Sequence, residues 1–210
     1  MSWERTQQKV QYCRLCEEER VKYLSVPANR KRKPPIPPPL DTRLYFVSVA
    51  PPWGGAYFWD ESRRDGVREG LFRALRLAGE NGIHSCSEFV KRGFYLTPAV
   101  KCPSQKDGRD HHPAPAAVAN CRPFLLAELE HAMPEVILAL GQTPFKALCH
   151  LFSINAPHTV RDYHDNHWSA RLGGRSVVVA GTYFPGNDRH KGFNSIVKDI
   201  RRLLSLRRDQ

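Results

Sequence analysis

Leu44-Tyr45-Phe46-Val47-Ser48-Val49-Ala50-Pro51-Pro52-Trp53-Gly54-Gly55-Ala56-Tyr57-Phe58-Trp59 is the stretch on which the fold turns. Its first six residues are a short apolar run, the pattern of a strand buried on both faces. Two prolines and two glycines then end the strand and open a loop holding four aromatic rings. Asp60, Glu61 and Asp65 follow directly. Rings in such a loop serve either as a hydrophobic plug or as a stacking platform for a planar ligand.

Further along, Phe94-Tyr95-Leu96-Thr97, Val136-Ile137-Leu138-Ala139-Leu140 and Val177-Val178-Val179-Ala180 read as three more strands. Helical spacing separates them. Val67, Leu71, Ala74, Leu75 and Ala78 share one face and stop at Gly79. Val118, Cys121, Leu125, Leu129 and Ala132 share another. Phe193, Ile196, Val197, Ile200, Leu203 and Leu204 line the last helix. Strands alternating with helices predict a three-layer α/β/α domain around a central, mainly parallel, four-stranded sheet. The whole chain, 1–210, is expected to be one such domain. Helix formers surround the first cysteines over residues 1–25, and a basic and proline-rich surface segment occupies 28–40, including Arg30-Lys31-Arg32-Lys33.

The charge balance points to a polyanionic partner. Lys and Arg number 32 against 21 Asp and Glu, a net +11, and nucleic acid is the commonest polyanion. A soluble basic protein with no such partner is the plainer reading. No apolar run approaches the roughly 18 residues of a membrane span, so no membrane partner is expected. The first residues lack the apolar stretch of a signal peptide. A cytoplasmic monomer is the expectation, and there thiols stay reduced.

Four of the six cysteines then need another explanation than disulfides. Cys13 and Cys16 form Cys-x2-Cys, whereas Cys102 and Cys121, on a loop and a helix face, have eighteen residues between them. Four soft thiolates suit tetrahedral zinc or a [4Fe–4S] cube, and spacing leaves both open. Cys86 and Cys149 have no close partner and read as a loop thiol and a core residue. His158, His164 and His167, with Asp162 and Asp165, match no standard ligand spacing and read as a polar excursion. His111-His112, near Cys102, are similarly weak candidates for cluster neighbours.

Ligands of open α/β sheets bind beyond the carboxyl ends of the strands. That rule selects the loops at 50–66, 98–113, 141–144 and 181–191. The last runs Gly181-Thr182-Tyr183-Phe184-Pro185-Gly186-Asn187-Asp188-Arg189-His190-Lys191-Gly192 into a helix N-terminus, where backbone N–H groups favour phosphate. Neither a Gly-x4-Gly-Lys-Ser/Thr loop nor a Gly-x-Gly-x2-Gly fingerprint after a strand is present.

In order and spacing these segments resemble the uracil-DNA glycosylase superfamily, and within it the iron–sulfur type B (family 5) branch. The resemblance rests on Cys13-x2-Cys16, Val26-Pro27, Val49-Ala50-Pro51-Pro52-Trp53-Gly54-Gly55, and Asp65 six residues before Leu71-Phe72-Arg73-Ala74-Leu75. It continues through Tyr95-Leu96-Thr97-Pro98-Ala99-Val100-Lys101-Cys102, Cys121 and Val136-Ile137-Leu138-Ala139-Leu140-Gly141. It implies a [4Fe–4S] cluster on Cys13, Cys16, Cys102 and Cys121, and DNA as the partner. It also implies hydrolysis of the N-glycosidic bond of uracil or another deaminated or damaged base. Such a base must first leave the stack. Asp65 matches the catalytic aspartate, with Asp60 as the substitute in another register. On sequence alone Asp65 is equally a helix-capping carboxylate before Val67. Ala50, Pro51, Tyr57, Phe58, Phe184 and Asn187 fall where the flipped base would bind, with Tyr57 or Phe58 stacking on it. Two positions depart from the family's pattern. Pro98 stands where family 4 carries a base-reading asparagine and type B enzymes usually alanine, a departure that fits the branch. Phe184 replaces the histidine that would polarise the departing base, and His190 is the nearest substitute. The alternative is a catalytically weak or inactive glycosylase-like protein that binds DNA without cutting it.

Overall fold

The computed structural model describes residues 2–24, 34, 36–54, 57–157, 159–186 and 192–206. Two short helices lead, α1 (Trp3–Tyr12) and α2 (Leu15–Glu18). The alternating body follows as β1 (Leu44–Ser48), α3 (Gly66–Leu77), α4 (Cys86–Lys91) and β2 (Phe94–Pro98). A small hairpin, β3 (Gln105–Lys106) and β4 (Arg109–Asp110), precedes α5 (Pro115–Ala132), β5 (Val136–Leu140) and α6 (Gln142–Phe152). The chain then passes through α7 (Val160–Tyr163), β6 (His167–Leu172) and β7 (Arg175–Thr182) to α8 (Phe193–Ser205).

The central sheet has the order β2-β1-β5-β7-β6. Its first four strands are parallel, with Phe46 paired to both Leu96 and Leu138. They are the four strands expected from sequence. A fifth, β6, is added antiparallel to β7 at one edge. Its residues alternate between exposed and partly buried until Leu172, which fits an edge strand with one face in water. Every residue of β1, β2 and β5 is buried, because helices cover both faces of these strands.

The two faces are packed differently. On one, Phe46 and Phe94 meet Phe89 of α4, which is also ringed by Phe58, Trp59 and Phe72. Truncating such a fully buried ring costs about 3–5 kcal/mol. On the other face, Thr97 and Tyr95 look toward α1 and α5, and Trp3 meets Tyr95 edge-on. A buried polar network ties this side together. Lys101 Nζ donates to Glu128 at 2.6 Å, to Thr97 Oγ1 at 2.9 Å and to the Pro98 carbonyl at 2.7 Å. Glu128 also accepts from Thr97 Oγ1 and from Gln7 of α1. All donors of the ammonium therefore have acceptors, the condition for tolerating a charge in the core. No helix among the described residues is long and apolar enough to cross a membrane.

Candidate active site

The chain runs from β1 outward to β2, then crosses back to place β5 on the other side of β1. The carboxyl ends of β1 and β5 thus diverge, and a cleft opens there. A cavity of about 650 Å³ fills this position. All four loops selected from the sequence contribute to its wall: Val49–Pro52 and Asp65–Val67 after β1, Ser104 and Asp110–His112 after β2, Gly141–Thr143 after β5, and Phe184 with Gly186 after β7. A smaller recess of about 70 Å³ shares Val49–Pro52, Asp65, Val67 and Phe184 with it. Ser48, Tyr57, Phe58, Leu96 and Pro98 complete the recess.

Asp65 is 8% exposed and lines both spaces. It is also the N-cap of α3, accepting the Arg68 N–H at 2.7 Å and a further hydrogen bond from the Val67 backbone. The two readings of this residue are therefore both true, since a cap at a strand-to-helix junction puts its carboxylate at the sheet's mouth. Burial raises its pKa above the usual carboxylate value, only partly offset by those N–H donors and the Arg68 charge. Asp60 lines neither cavity. Its carboxylate instead accepts from Ser62 N–H and Oγ within a turn.

Arg68 was not singled out by sequence, yet it holds the aromatic loop in place. Its buried guanidinium donates to the carbonyls of Tyr57, Phe58, Asp60 and Arg63. Tyr57 and Phe58 are buried. The Phe58 ring is edge-on to Trp59 and Phe72, so it belongs to the core beneath the recess. Ala50 and Pro51 form the wall next to Asp65.

Phe184, 42% exposed, lies on the wall of both spaces and presents no hydrogen-bond donor from its ring. Its loop is fixed from two sides. Asp199 of α8, fully buried, accepts from Thr182 Oγ1 at 2.6 Å. On α3, Gly66 and Gly70 let the helix approach the backbone at Gly186 and Pro185, where a Cβ at Gly70 would lie 2.1 Å from the Pro185 oxygen. Asn187 and His190 lie outside the described residues.

The wall also contains His111 and His112, which sequence reading set aside. The hairpin delivers them. Its turn, Asp107-Gly108, has φ of 52° and 73°, and an Asp-Gly pair between short strands is the signal that locates it. Asp110 then accepts the Trp53 N–H, closing the hairpin onto the aromatic loop.

Cys102 and Cys121 flank this hairpin in sequence, and Cys13 and Cys16 belong to the N-terminal segment. Cys16 and Cys121 are buried together with Val100 and Ala117. Burial raises both thiol pKa values, Cys121 to about 11, and the neighbouring Cys13 charge raises them further. Asn120 donates to Cys16 Sγ, and the Lys101 N–H, one residue before buried Cys102, donates to Cys121 Sγ, both at 3.5 Å. Among the described residues no three cysteine sulfurs lie within 4.8 Å of one another. Cys86 opens α4 and is 3% exposed, a core residue and not a loop thiol, whereas Cys149 is part-buried on α6.

His164, Asp165 and Asp199 do converge within metal-binding distance. Their charges are already met: Lys198 pairs with Asp165 at 2.8 Å, and Arg202 sits 3.6 Å from Asp199. His158 lies outside the described residues.

The family model of the uracil DNA glycosylase superfamily matches residues 34–191, which span every strand of the sheet and the whole cavity. The chain belongs to that superfamily. Two relatives of this glycosylase-superfamily chain carry specific names. It is 34% identical over 121 residues to the type-5 uracil-DNA glycosylase of Pyrobaculum aerophilum, covering 54% of this chain and 52% of that protein. It is 33% identical over 104 residues to the type-4 uracil-DNA glycosylase of Thermotoga maritima, covering 50% and 47%. The chain thus spans about half the length of the relatives it matches.

Proposed function

We propose that this superfamily member is a DNA glycosylase that hydrolyses the N-glycosidic bond of uracil or another deaminated or damaged base. One observation carries the reading: a buried carboxylate, Asp65, fixed by a helix cap on the wall shared by a small recess and a cleft wide enough for a base. A base extruded from the duplex enters the cleft where it meets the recess, beside Pro51 and Phe184, with the sugar and phosphates further out. As the C1′–N bond breaks, its electron pair leaves with the base and positive charge grows on the sugar. Asp65 stabilises that charge electrostatically. A water oxygen then bonds to C1′, its proton is lost to Asp65 or solvent, and the base takes up a proton as it leaves. The basic surface supplies sequence-independent attraction for DNA.

The same reading assigns a [4Fe–4S] cluster to Cys13, Cys16, Cys102 and Cys121. The donor set fits: soft thiols, two of them buried side by side, whose mutual repulsion a cationic centre relieves. When bound, the cluster cross-links the N-terminal segment to α5. Anaerobically prepared protein is expected to be brown and to contain iron and sulfide, and Cys16→Ala or Cys121→Ala to lose both.

Incubation with duplexes containing uracil, hypoxanthine or xanthine tests the activity. Abasic product from at least one, abolished by Asp65→Asn, is the expected result. Phe184 favours a second reading, a DNA-binding protein that does not cut. Salt-dependent binding with no base released from any duplex selects it.

A further inference from the structure

Phe184 leaves the recess without a side-chain donor at the end of β7. The hairpin β3–β4 carries one into the same cleft. His111 and His112 line the cavity together with Asp65 and Phe184. His111 is held in a defined orientation. Its Nδ1 lies 2.8 Å from the His112 carbonyl oxygen, which can only accept, so Nδ1 carries a proton there. Its ring stacks on Tyr23, with centroids 4.2 Å apart and planes at 35°. Its backbone N–H donates to the Ser104 carbonyl at 3.0 Å.

The platform beneath it is fixed as well. Gln105 N–H donates to the Tyr23 carbonyl at 2.8 Å, Leu24 bridges to Ser104, and Asp110 accepts from Trp53. Donors aimed in advance at developing charge are the most effective kind, because they need no reorganisation at the moment of reaction. With Nδ1 committed to a carbonyl, the polar atom left for a ligand is Nε2.

We propose that His111, delivered by the hairpin, is the donor to the departing base in place of the side chain that Phe184 cannot supply. When Nε2 also carries a proton, its N–H hydrogen-bonds to an exocyclic oxygen of the base as the C1′–N electron pair moves onto it. The proton stays shared until the base leaves. The assignment rests on the glycosylase reading.

His111→Phe is the informative variant, since it keeps the ring on Tyr23 and removes the N–H groups. Single-turnover base release is measured for wild type, His111→Phe, His112→Phe and His190→Phe, on duplexes containing uracil or 5-fluorouracil. The fluorine withdraws electrons and stabilises the departing anion, so a missing donor matters less there. The expected result is a loss of about 10²–10³-fold for His111→Phe on uracil and a markedly smaller loss on 5-fluorouracil, with DNA affinity unchanged. Equal losses on the two bases indicate a structural role and overturn the assignment. So does wild-type behaviour of His111→Phe, or a selective loss confined to His112→Phe or His190→Phe. Base release by the wild type in those cases leaves the proposed activity standing; no release by the wild type from any duplex removes both.

Discussion

Gly70→Ala tests whether the geometry joining Asp65 to Phe184 is as tight as it looks. Gly70 lies inside α3, the helix capped by Asp65, and faces the Pro185 carbonyl next to Phe184. A Cβ there would sit 2.1 Å from the oxygen, where ordinary contact begins at 3.4 Å. Both partners are backbone, so helix and loop must part by roughly 1.3 Å, since a packed interior has no slack to absorb it. Helix propensity alone favours the substitution by about 1 kcal/mol. Overpacking opposes it by about 1–3 kcal/mol, and the rigid carbonyl puts this site toward the upper end. The expected net loss of about 1–2 kcal/mol lowers the melting temperature by about 2–8 °C in a chain of this size. The functional effect is larger, because a displacement of about 1 Å between reacting groups can cost about 10²-fold in rate. Gly54→Ala is the control: nothing lies within 4 Å of a Cβ there. Thermal melts and single-turnover base release on both variants check the argument. If Gly70→Ala matches wild type in both assays, the close approach of α3 to the Phe184 loop is not what sets the site.

Asp65→Asn should abolish release without lowering stability. Asparagine caps helices as well as aspartate, and a carboxyl whose pKa is raised by burial is disfavoured in its ionised form. The folded state holds that proton to higher pH than the unfolded state, so the wild type loses stability relative to Asp65→Asn as pH rises through the folded pKa. The acid limb of the rate profile should correspondingly lie above the ordinary aspartate range; a limb at or below it contradicts the burial argument. Glu128→Gln should cost about 3–5 kcal/mol in urea unfolding, because it leaves the Lys101 ammonium buried without its counter-charge. The double variant Lys101→Met/Glu128→Leu should cost less than the two single changes summed, and simple additivity would rule out the coupling. Phe184→His, by placing a donor on the recess wall, should speed uracil release by about tenfold or more, read in the same single-turnover assay.

Legibility from sequence followed burial. β1, β2 and β5 were readable because both faces are covered, so each is an unbroken apolar run. β6, His167–Leu172, was not, since an edge strand with one wet face alternates and looks like a loop. The four site loops followed from the strand ends alone. Asp65 was legible as two things at once, and the cap geometry makes them one. Arg68 was invisible for the opposite reason: a charged residue in a helix reads as solvated, and the four carbonyls that justify its burial come from a loop whose path sequence does not give. His111 was noticed only as a neighbour of Cys102. The Asp107-Gly108 turn would have predicted a hairpin there, but only tertiary packing puts the tip's far end into the cleft.

The location of the cysteines relative to that hairpin bears on what an inorganic centre would do here. Cys16 lies eight residues before Leu24, which bridges to Ser104, and Tyr23 both stacks on His111 and accepts from Gln105. Cys102 and Cys121 flank the hairpin in sequence, while its Asp110–Trp53 contact ties it to the aromatic loop. The hairpin's own ladder pairs only Gln105 with Asp110 and Lys106 with Arg109, far too little to order it alone. The sheet and its aromatic rings form one packed cluster, and Cys16 and Cys121 belong to a smaller one with Val100 and Ala117, against which Leu24 packs. A cluster on the four proposed ligands would brace the segments on either side of the hairpin that carries His111 and His112 to the cleft.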